Sequence, residues 1–467
     1  MRSTALLALA LVSLLAAATL ALWIAGELGS PESGGGGVVL HVLTRHDATT
    51  LMIAREAFLN STFAREAGVI NVVFIKPNPA LWRDTIDRLG YLDVAWGGGP
   101  TAHNILADDG YLLPIEDEVV LHEASSIPDS VGGMPLKRFD SQGRLLWVAT
   151  SMSSFGIIVN EPMLEEYGLP SPRLWEDLAS PELAKLLPKP AVAFSRSTQS
   201  GSHTRIYQII LQKFGWERGW VVLTGMAANG RPYGGSVEAL SALEAGEVPI
   251  AIGIDFYGYT AQVERPGVRY VVPYNESIVG GDPVSLLRTC QNREAALAFV
   301  RWILSVDGQK IWLDRRVNRL PVRTEVFDTP EGRERPDLRA AQEMILGNVG
   351  IRFSETRARM SYFATAYYFD AVLCDPHDAL VSAWSAMVRA LESGRIGWKE
   401  FEELWWELGR PISWEENGTV LTFTEEYAAS INWRMRDDPA FASKMTSMWR
   451  EAAQRRYEEI ARRLTSG

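Results

Sequence analysis

The chain has 467 residues, of which 47% are hydrophobic and 22% are charged, a composition typical of a globular protein with more than one domain. Its formal net charge of −11 disfavours a nucleic-acid partner, because binding a phosphate backbone requires a basic surface. The two cysteines, Cys290 and Cys374, fit no metal-binding spacing; they could form one disulfide or remain as buried thiols.

The chain begins with a basic residue followed by a long apolar run. The run Ala5–Ala25 is longer than the core of a typical signal peptide and just long enough to span a bilayer. Residues 26–37 are rich in glycine and lack hydrophobic periodicity, as is typical of a flexible tether. The sequence therefore predicts a signal peptide or membrane anchor over residues 1–25. The rest of the chain is then secreted or held at the extracellular face of the membrane.

Residues 38–150 alternate between predicted strands and helices, which indicates a first α/β lobe. The predicted strands are Val38–Leu43, Val69–Phe74 and Leu92–Trp96, and the predicted helices between them are Leu51–Phe63 and Trp82–Leu89. This order is typical of a parallel sheet. Open α/β sheets bind ligands at the carboxyl ends of their strands, so we expect the site in the loops found there.

Three further regions follow the first lobe. A second α/β lobe is predicted over residues 151–268, and a return to the first lobe over residues 269–327. From residue 328 onward, alanine, arginine, glutamate and tryptophan recur at helical spacing, which predicts an all-α C-terminal region over residues 328–467. We expect these helices to support the first lobe and the hinge between the lobes.

The most distinctive stretch runs from Ala191 to Trp216. A short apolar strand leads into a loop crowded with hydroxyl groups, and the loop leads into an amphipathic helix. The first turn of such a helix presents unpaired backbone N–H groups and the positive end of its dipole. Arg196 and Arg205 could neutralise an anion there. The same residues could also form an ordinary serine-rich capped turn.

No common hydrolase, zinc-protease or phosphate-loop motif is present in the sequence. The loop Gly97–Ala102 fits the loose dinucleotide pattern G-x-G-x-x-A, but it does not follow the first strand of its lobe, and Pro100 interrupts the phosphate turn. We therefore expect a binding protein without catalytic activity. An exported α/β nucleotide-dependent enzyme that uses this loop is the alternative from another class.

Five predicted loops, each following a strand, have the composition of a ligand-binding cleft. They are Thr44–Thr50, Trp96–Thr101, Ser151–Phe155, Ser195–Thr204 and Asp255–Tyr259. Polar groups that converge between two lobes can close on a ligand by a hinge motion. The predicted ligand-binding residues are Thr44, His46, Trp96, Gly98, Ser154, Arg196, Ser197, Ser200, Gly201, Ser202, Asp255 and Tyr257.

Several motifs occur in an order that is typical of one family. They are Asp93–Gly99, Phe155–Asn160, Phe194–Ser202, Gly246–Tyr257 and Ala295–Ser305. With them, residues 38–323 resemble the type II extracellular solute-binding proteins of ABC importers, in particular the branch with ferric-iron-, thiamine- and phosphonate-binding members. The resemblance implies a two-lobed α/β fold of the periplasmic-binding-protein type with hinge crossing strands, here with an all-α C-terminal extension. It also implies a small-molecule ligand, an ABC permease as partner and no cofactor.

The resemblance leaves two classes of ligand open. Ferric-binding members of the family have a histidine, an acidic residue and adjacent tyrosines, and His46 and Tyr257 fit two of these places. The acidic residue is missing from the second loop, and Phe256 stands where the other tyrosine is expected. The hydroxyl-rich helix start with Arg196 favours an organic anion or zwitterion, such as a phosphonate, a phosphate ester or a carboxylate. Asp255 would then hold an amine or a hydroxyl group of the ligand.

Overall fold

The computed structural model describes residues 37–78, 81–131, 134–347, 350–416 and 418–465. The predicted signal peptide or anchor over residues 1–25, and the predicted tether apart from Gly37, lie outside these residues. Within the described ranges, no helix combines the length and the apolar character that crossing a membrane requires.

The described residues form sixteen strands. They are β1 (Val38–Thr44), β2 (Val69–Ile75), β3 (Val94–Trp96), β4 (Leu112–Leu113), β5 (Ser130–Val131), β6 (Met134–Pro135), β7 (Lys137–Phe139), β8 (Leu145–Asn160), β9 (Val192–Ser195), β10 (Gly230–Tyr233), β11 (Ile250–Ile254), β12 (Val268–Val271), β13 (Val279–Leu287), β14 (Leu320–Pro321), β15 (Ser413–Glu416) and β16 (Thr419–Thr422).

The α-helices lie between and after these strands. They are α1 (Ala48–Leu59), α2 (Thr62–Glu66), α3 (Trp82–Leu89), α4 (Gly99–Asp108), α5 (Glu118–Ser125), α6 (Glu161–Tyr167), α7 (Gly201–Phe214), α8 (Trp216–Ala228), α9 (Ser236–Glu244), α10 (Asp255–Glu264), α11 (Arg293–Leu304), α12 (Val306–Gln309), α13 (Pro330–Arg333), α14 (Pro336–Gly347), α15 (Glu355–Phe369), α16 (His377–Glu392), α17 (Trp398–Gly409), α18 (Glu425–Asp437) and α19 (Pro439–Thr465). Shorter helical turns occupy Trp175–Ala179, Pro181–Leu186, Ser197–Gln199, Lys310–Leu313 and Thr324–Asp328, and a π-helix occupies Asp370–Cys374.

One sheet of twelve strands runs through both α/β units. Its main order is β10-β9-β11-β8-β13-β3-β1-β2; β7, β12 and β14 also pair with β8, and β4 pairs with β13. The pairs β1–β3 and β9–β11 are parallel, as the predicted alternation of strands and helices requires. The predicted α/β architecture is confirmed.

The long strand β8 connects the two halves of this sheet. Its first half pairs with β13, and its second half pairs with β11 and β12. The pairing of β8 with β13 shifts register at Asp282 and Pro283. The prediction that Ser151–Phe155 form a loop is wrong, because these residues lie inside β8 and are buried. The small side chains of the three serines fit a strand that passes between two packed units.

The C-terminal region is helical apart from the hairpin β15–β16, and its core is shared with the second α/β unit. The ring of Phe369 stacks on Tyr207 of α7 with centroids 3.8 Å apart, and Trp220 of α8 packs against Tyr368. These residues belong to one apolar cluster. The expectation that the helices support the first lobe is therefore wrong with respect to their hydrophobic core, which they share with the second unit. These helices bury their apolar residues against α7 and α8 instead.

The contacts between the helical region and the first unit include several polar pairs. Arg359 pairs with Asp108 of α4 at 2.7 Å, and Arg83 lies 4.0 Å from Asp437. In the part of the chain that the structure describes, the apolar cluster around Trp82 and Trp147 has no member from the helical region. The two cysteines, left open by the sequence, are both free thiols.

Candidate functional site

A cleft of about 670 Å³ lies between three walls, one from each α/β unit and one from the helical region. The predicted residues that line it are His46, Gly98, Ser197, Ser200, Gly201, Ser202 and Tyr257. Five arginines line the cleft, Arg45, Arg83, Arg205, Arg319 and Arg436, against three carboxylates, Asp282, Glu238 and Glu355. The cleft is therefore more basic than the chain as a whole, whose net charge is −11.

The wall from the second unit is built on two helix N-termini. Helices α7 and α9 both begin at the cleft, α7 after the N-cap Ser200 and α9 at Ser236. The hydroxyl of Ser236 lies 2.6 Å from that of Ser200 and 3.0 Å from that of Ser202. Amide groups in the first turns have no partner within their helices, and they carry the positive ends of the dipoles. Hydroxyl and N–H donors are thus concentrated where an anion is favoured.

Arg205, one turn into α7, joins all three walls. One of its nitrogens, Nη2, donates to Glu355 of α15 at 3.1 Å and also to the hydroxyl of Thr101 in the first unit. Its guanidinium carbon lies 4.8 Å from the centre of the Phe353 ring. Arg205 is only 7% exposed, so its position is fixed by these contacts.

The wall from the first unit holds a compact charged cluster. Arg319 pairs with Asp282 at 3.0 Å and lies 3.8 Å from the ring centre of Phe256. The N–H of Gly99, at the start of α4, donates to Asp282 at 3.0 Å. Burial raises the pKa of Asp282, while Arg319 opposes that rise. The carboxylate therefore already occupies the anion position at this helix N-terminus.

His46 packs behind this cluster. Its Nε2 lies 3.8 Å from Asp282, and its ring centre lies 4.1 Å from that of Trp96. Burial, reinforced by the charge of Arg319, holds the pKa of His46 well below its usual value, so the ring is neutral at pH 7. Gly97 has φ of +79°, and a Cβ there would meet His46 at 2.6 Å. Gly97 thus allows close packing against the histidine.

Two predicted site residues from the first unit are core residues. Trp96 is fully buried, and its indole N–H donates to Thr150 at 3.1 Å. Thr44 is also fully buried, and its hydroxyl accepts the N–H of His46 at 3.2 Å. Both residues position the loop that carries His46, and neither lines the cleft.

Ser154 and Asp255 bond to each other. The carboxylate of Asp255 accepts the N–H of Ser154 at 2.7 Å and the N–H of Phe256 at 2.8 Å. It is fully buried, and burial raises its pKa to about 7. This pair fastens the start of α10 to β8, and neither residue lines the cleft.

Arg196 points its charge toward the helical region. It pairs with Asp375 and lies 3.7 Å from Asp370, which also accepts the N–H of Ser197 at 2.7 Å. The hydroxyl-rich loop after β9 is therefore anchored to the π-helix, and Arg196 does not line the cleft. Arg205 provides the positive charge there instead.

Several cleft residues were not predicted. Ser236 follows a strand and Gly234-Gly235, which is the same kind of signal as the Ser195–Thr204 loop and could have been found. Asp282, Arg319 and Glu355 carry no local signal, because only the fold brings them to the cleft. The helical wall also contributes Tyr362, Phe363 and Tyr367.

Six polar atoms in cleft-lining residues are buried and lack a hydrogen-bond partner within the described ranges. They are His46 Nε2, Trp82 Nε1, Ser153 Oγ, Arg205 Nη1, Arg319 Nε and Glu355 Oε1. Buried polar groups in proteins are nearly always hydrogen-bonded. A polar ligand in the cleft would complete these bonds.

The metal ligands proposed for ferric iron, His46 and Tyr257, both line the cleft. Burial raises the pKa of Tyr257, whereas a ferric ion would need its phenolate. Among the described residues, no group of three or more His, Cys, Asp or Glu side chains is placed to hold a metal ion. The cation Arg319 also lies close to both residues, which disfavours a metal cation.

Comparison with known proteins relates this geometry to a family. A family model described as bacterial extracellular solute-binding protein matches residues 84–310. The phosphoglycerate transport regulatory protein PgtC of Salmonella typhimurium is 27% identical over 278 residues. That match covers 58% of this chain and spans 66% of the length of the relative.

Two solved structures have a similar fold. Iron-bound HitA from Pseudomonas aeruginosa is 23% identical, with a TM-score of 0.50 over 61% of this chain and 87% of that chain. AfuA from Actinobacillus pleuropneumoniae, with fructose-6-phosphate bound, is 17% identical, with a TM-score of 0.52 over 66% of this chain and 98% of that chain. The two solved structures share the fold of this chain, and the family model matches residues 84–310, so the chain is similar to bacterial extracellular solute-binding proteins over that range.

Proposed function

We propose that the protein is the solute-binding component of an ABC importer and that its ligand is a small organic anion with a phosphate-type group. The observation that carries the proposal is the cluster of Ser200, Ser202 and Ser236 at two helix N-termini in an arginine-rich cleft. Neutral donors and dipoles of this kind are suited to phosphate oxygens. The names of two similar proteins support the same chemistry, since they refer to phosphoglycerate and fructose-6-phosphate.

Binding in this proposal requires no chemical reaction. The phosphate group displaces water from the serine cluster, and Arg205 supplies a fixed positive charge beside it. Hinge motion at the crossing strands β8 and β13 then brings the first unit onto the ligand. The loaded protein delivers the ligand to an ABC permease at the extracellular face of the membrane.

Ferric iron is the alternative ligand within the same family, since HitA carries iron. An exported nucleotide-dependent enzyme is the alternative from another class. It would have to bind a pyrophosphate at Gly97–Ala102, where Asp282 already accepts the N–H of Gly99. A binding screen distinguishes these alternatives, because the first predicts stabilisation by ferric citrate and the second predicts stabilisation by NAD.

The test is a thermal-shift screen of the purified full chain with inorganic phosphate, 3-phosphoglycerate, fructose-6-phosphate, ferric citrate and NAD. A ligand at 100 times its dissociation constant stabilises the folded state by about 2.7 kcal/mol, which a melting curve resolves. We expect a phosphate ester to raise the melting temperature and the Ser200→Ala/Ser236→Ala variant to reduce that shift. Ser241→Ala, an exposed serine on the same helix α9, is the matched control. A shift only with ferric citrate or only with NAD would overturn the proposal.

A further inference from the structure

The ion pair between Arg205 and Glu355 is asymmetric. Glu355 is bonded through one oxygen, Oε2, which accepts from Arg205 at 3.1 Å and from Thr101 at 3.3 Å. Its other oxygen, Oε1, is buried and has no partner among the residues that the structure describes. Arg205 has the same asymmetry, because Nη2 is bonded and Nη1 is buried without a partner.

This arrangement leaves one acceptor atom and one donor atom of the same ion pair without a hydrogen-bond partner among the described residues. Both residues line the cleft, and Arg205 is more than nine-tenths buried. The ion pair of Arg357 and Glu425, in contrast, uses two nitrogens and both oxygens in a fork, at 2.6 and 2.7 Å. The unused atoms of Arg205 and Glu355 therefore match a ligand that carries an acceptor and a donor close together.

We propose that Glu355 is a ligand-binding residue that accepts a hydrogen bond from a hydroxyl or ammonium group of the ligand, next to the anionic group that Arg205 binds. This inference rests on the proposed function and narrows its ligand class to hydroxylated or amino-substituted organic anions. Glu355 lies on α15, outside residues 84–310 that match the family model. The helical region thus contributes to ligand specificity as well as to the core.

Rigid placement makes this recognition selective. Oε2 is fixed by two donors, so Oε1 cannot turn away without breaking them. The helical region is also joined to the second unit through the stacked rings of Phe369 and Tyr207. Glu355 is therefore held at a fixed position relative to the serine cluster at the starts of α7 and α9. A ligand without a donor at this point leaves a buried carboxylate oxygen unsatisfied, which weakens binding.

The test uses three probes that share a phosphate ester and a carboxylate and differ at one carbon. That carbon has a hydroxyl group in 3-phosphoglycerate, an ammonium group in O-phosphoserine and only hydrogen in 3-(phosphonooxy)propanoate. Calorimetric titration of the full chain should show that the two donor-bearing probes bind at least about tenfold more tightly than the third.

Variants locate the source of this preference. In Glu355→Ala the three affinities should converge to within about threefold, and in Glu355→Gln the loss should be larger for O-phosphoserine than for 3-phosphoglycerate, because the negative charge is gone. Glu425→Gln removes a carboxylate that holds an arginine elsewhere in the helical region and should leave the preference unchanged. The ratio of affinities within one variant is the readout, so a moderate loss of stability does not affect it.

The outcomes separate this inference from the proposed function. If the wild-type chain binds all three probes equally, or if the preference persists in Glu355→Ala, the role of Glu355 is overturned while the anion site stands. If none of the three probes binds, this inference is overturned; the proposed function is overturned with it only if fructose-6-phosphate and inorganic phosphate also fail to bind.

Discussion

Helices α4 and α7 both begin at the cleft after a strand and a short polar loop, but their N-termini are in different states. The N–H of Gly99 in α4 donates to Asp282, whose charge is balanced by Arg319. The first turn of α7 faces the cleft with the hydroxyls of Ser200 and Ser202 and with Arg205. In the first unit this local motif makes a self-neutralised wall, in which Asp282 and Arg319 balance each other; in the second unit it makes the anion site that we propose.

The largest effect is expected from breaking the self-neutralised wall. Arg319→Ala leaves Asp282 buried without its cation, which should lower the free energy of unfolding at pH 8 by about 3–5 kcal/mol. Arg316→Ala is the matched control, because it breaks an exposed pair with Asp314 and should cost less than about 1 kcal/mol. Urea unfolding of both variants checks the difference. Equal losses would show that the Asp282 pair is not a buried structural pair.

The pH dependence of Arg319→Ala follows from Asp282. Burial already raises the pKa of this carboxyl, and removing Arg319, which lowers it, raises the pKa further. The unfolded chain then holds fewer protons than the folded chain above the ordinary carboxyl pKa, so stability falls as pH rises. The loss of unfolding free energy in Arg319→Ala relative to wild type should therefore be smaller at pH 5 than at pH 8. A loss that does not change with pH would contradict the assignment of this pH dependence to Asp282.

A negative charge at the start of α9, beside Ser200 and Ser202, should abolish ligand binding without destabilising the fold. In Ser236→Asp the new carboxylate can accept from Ser200 and Ser202, and aspartate is favoured at the start of a helix. It also occupies the position of the ligand's anion, so affinity for a phosphate ester should fall at least about 100-fold. Ser241→Asp, exposed on the same helix, should bind normally. Titration calorimetry measures the affinities, and unchanged binding by Ser236→Asp would place the anion elsewhere.

A smaller effect on ligand affinity is expected when Arg205 is replaced by lysine, which keeps the positive charge but not the planar guanidinium. Arg205→Lys replaces the two terminal nitrogens of the guanidinium by one, which would have to serve Thr101, Glu355 and a ligand anion, so affinity should fall about tenfold. Arg357→Lys, which alters a comparable pair with Glu425 outside the cleft, should leave affinity unchanged. A loss shared by both variants would point to a general effect on the helical region.

The smallest effect is expected at Arg196. Its partners Asp370 and Asp375 belong to the helical region, and about a third of its side chain is exposed. Arg196→Ala should therefore change ligand affinity by less than about twofold and stability by at most about 1 kcal/mol. A tenfold loss of affinity in calorimetry would instead support the role that the sequence predicts for this residue.

The sequence predicted the parts of the site that depend on local patterns. The strand Ala191–Phe194 and the hydroxyl-rich start of α7 follow from periodicity and capping, and the structure has β9 and α7 there. Ser151–Phe155 were predicted to form a loop but lie in β8. The serines explain this error, because small polar residues are common both in loops and in a buried strand between two packed units. Their burial is set by β13, more than a hundred residues later.

What the sequence could not reveal is which charges meet across the cleft. Asp282 reaches Gly99 from 183 positions away, and Glu355 reaches Arg205 from 150 positions away. No local signal distinguishes these carboxylates from the many acidic residues on the surface. The pairing of Arg196 with Asp375 could not be predicted for the same reason, since it depends on how the helical region packs on the second unit.

The most direct test of the account is a crystal structure of the protein with 3-phosphoglycerate. We expect the phosphate oxygens within about 3 Å of the hydroxyls of Ser202 and Ser236 and of the first amides of α7. A phosphate bound instead at Arg319 and His46, or a cleft that remains unoccupied at saturating ligand, would contradict the proposal that the second unit provides the anion site.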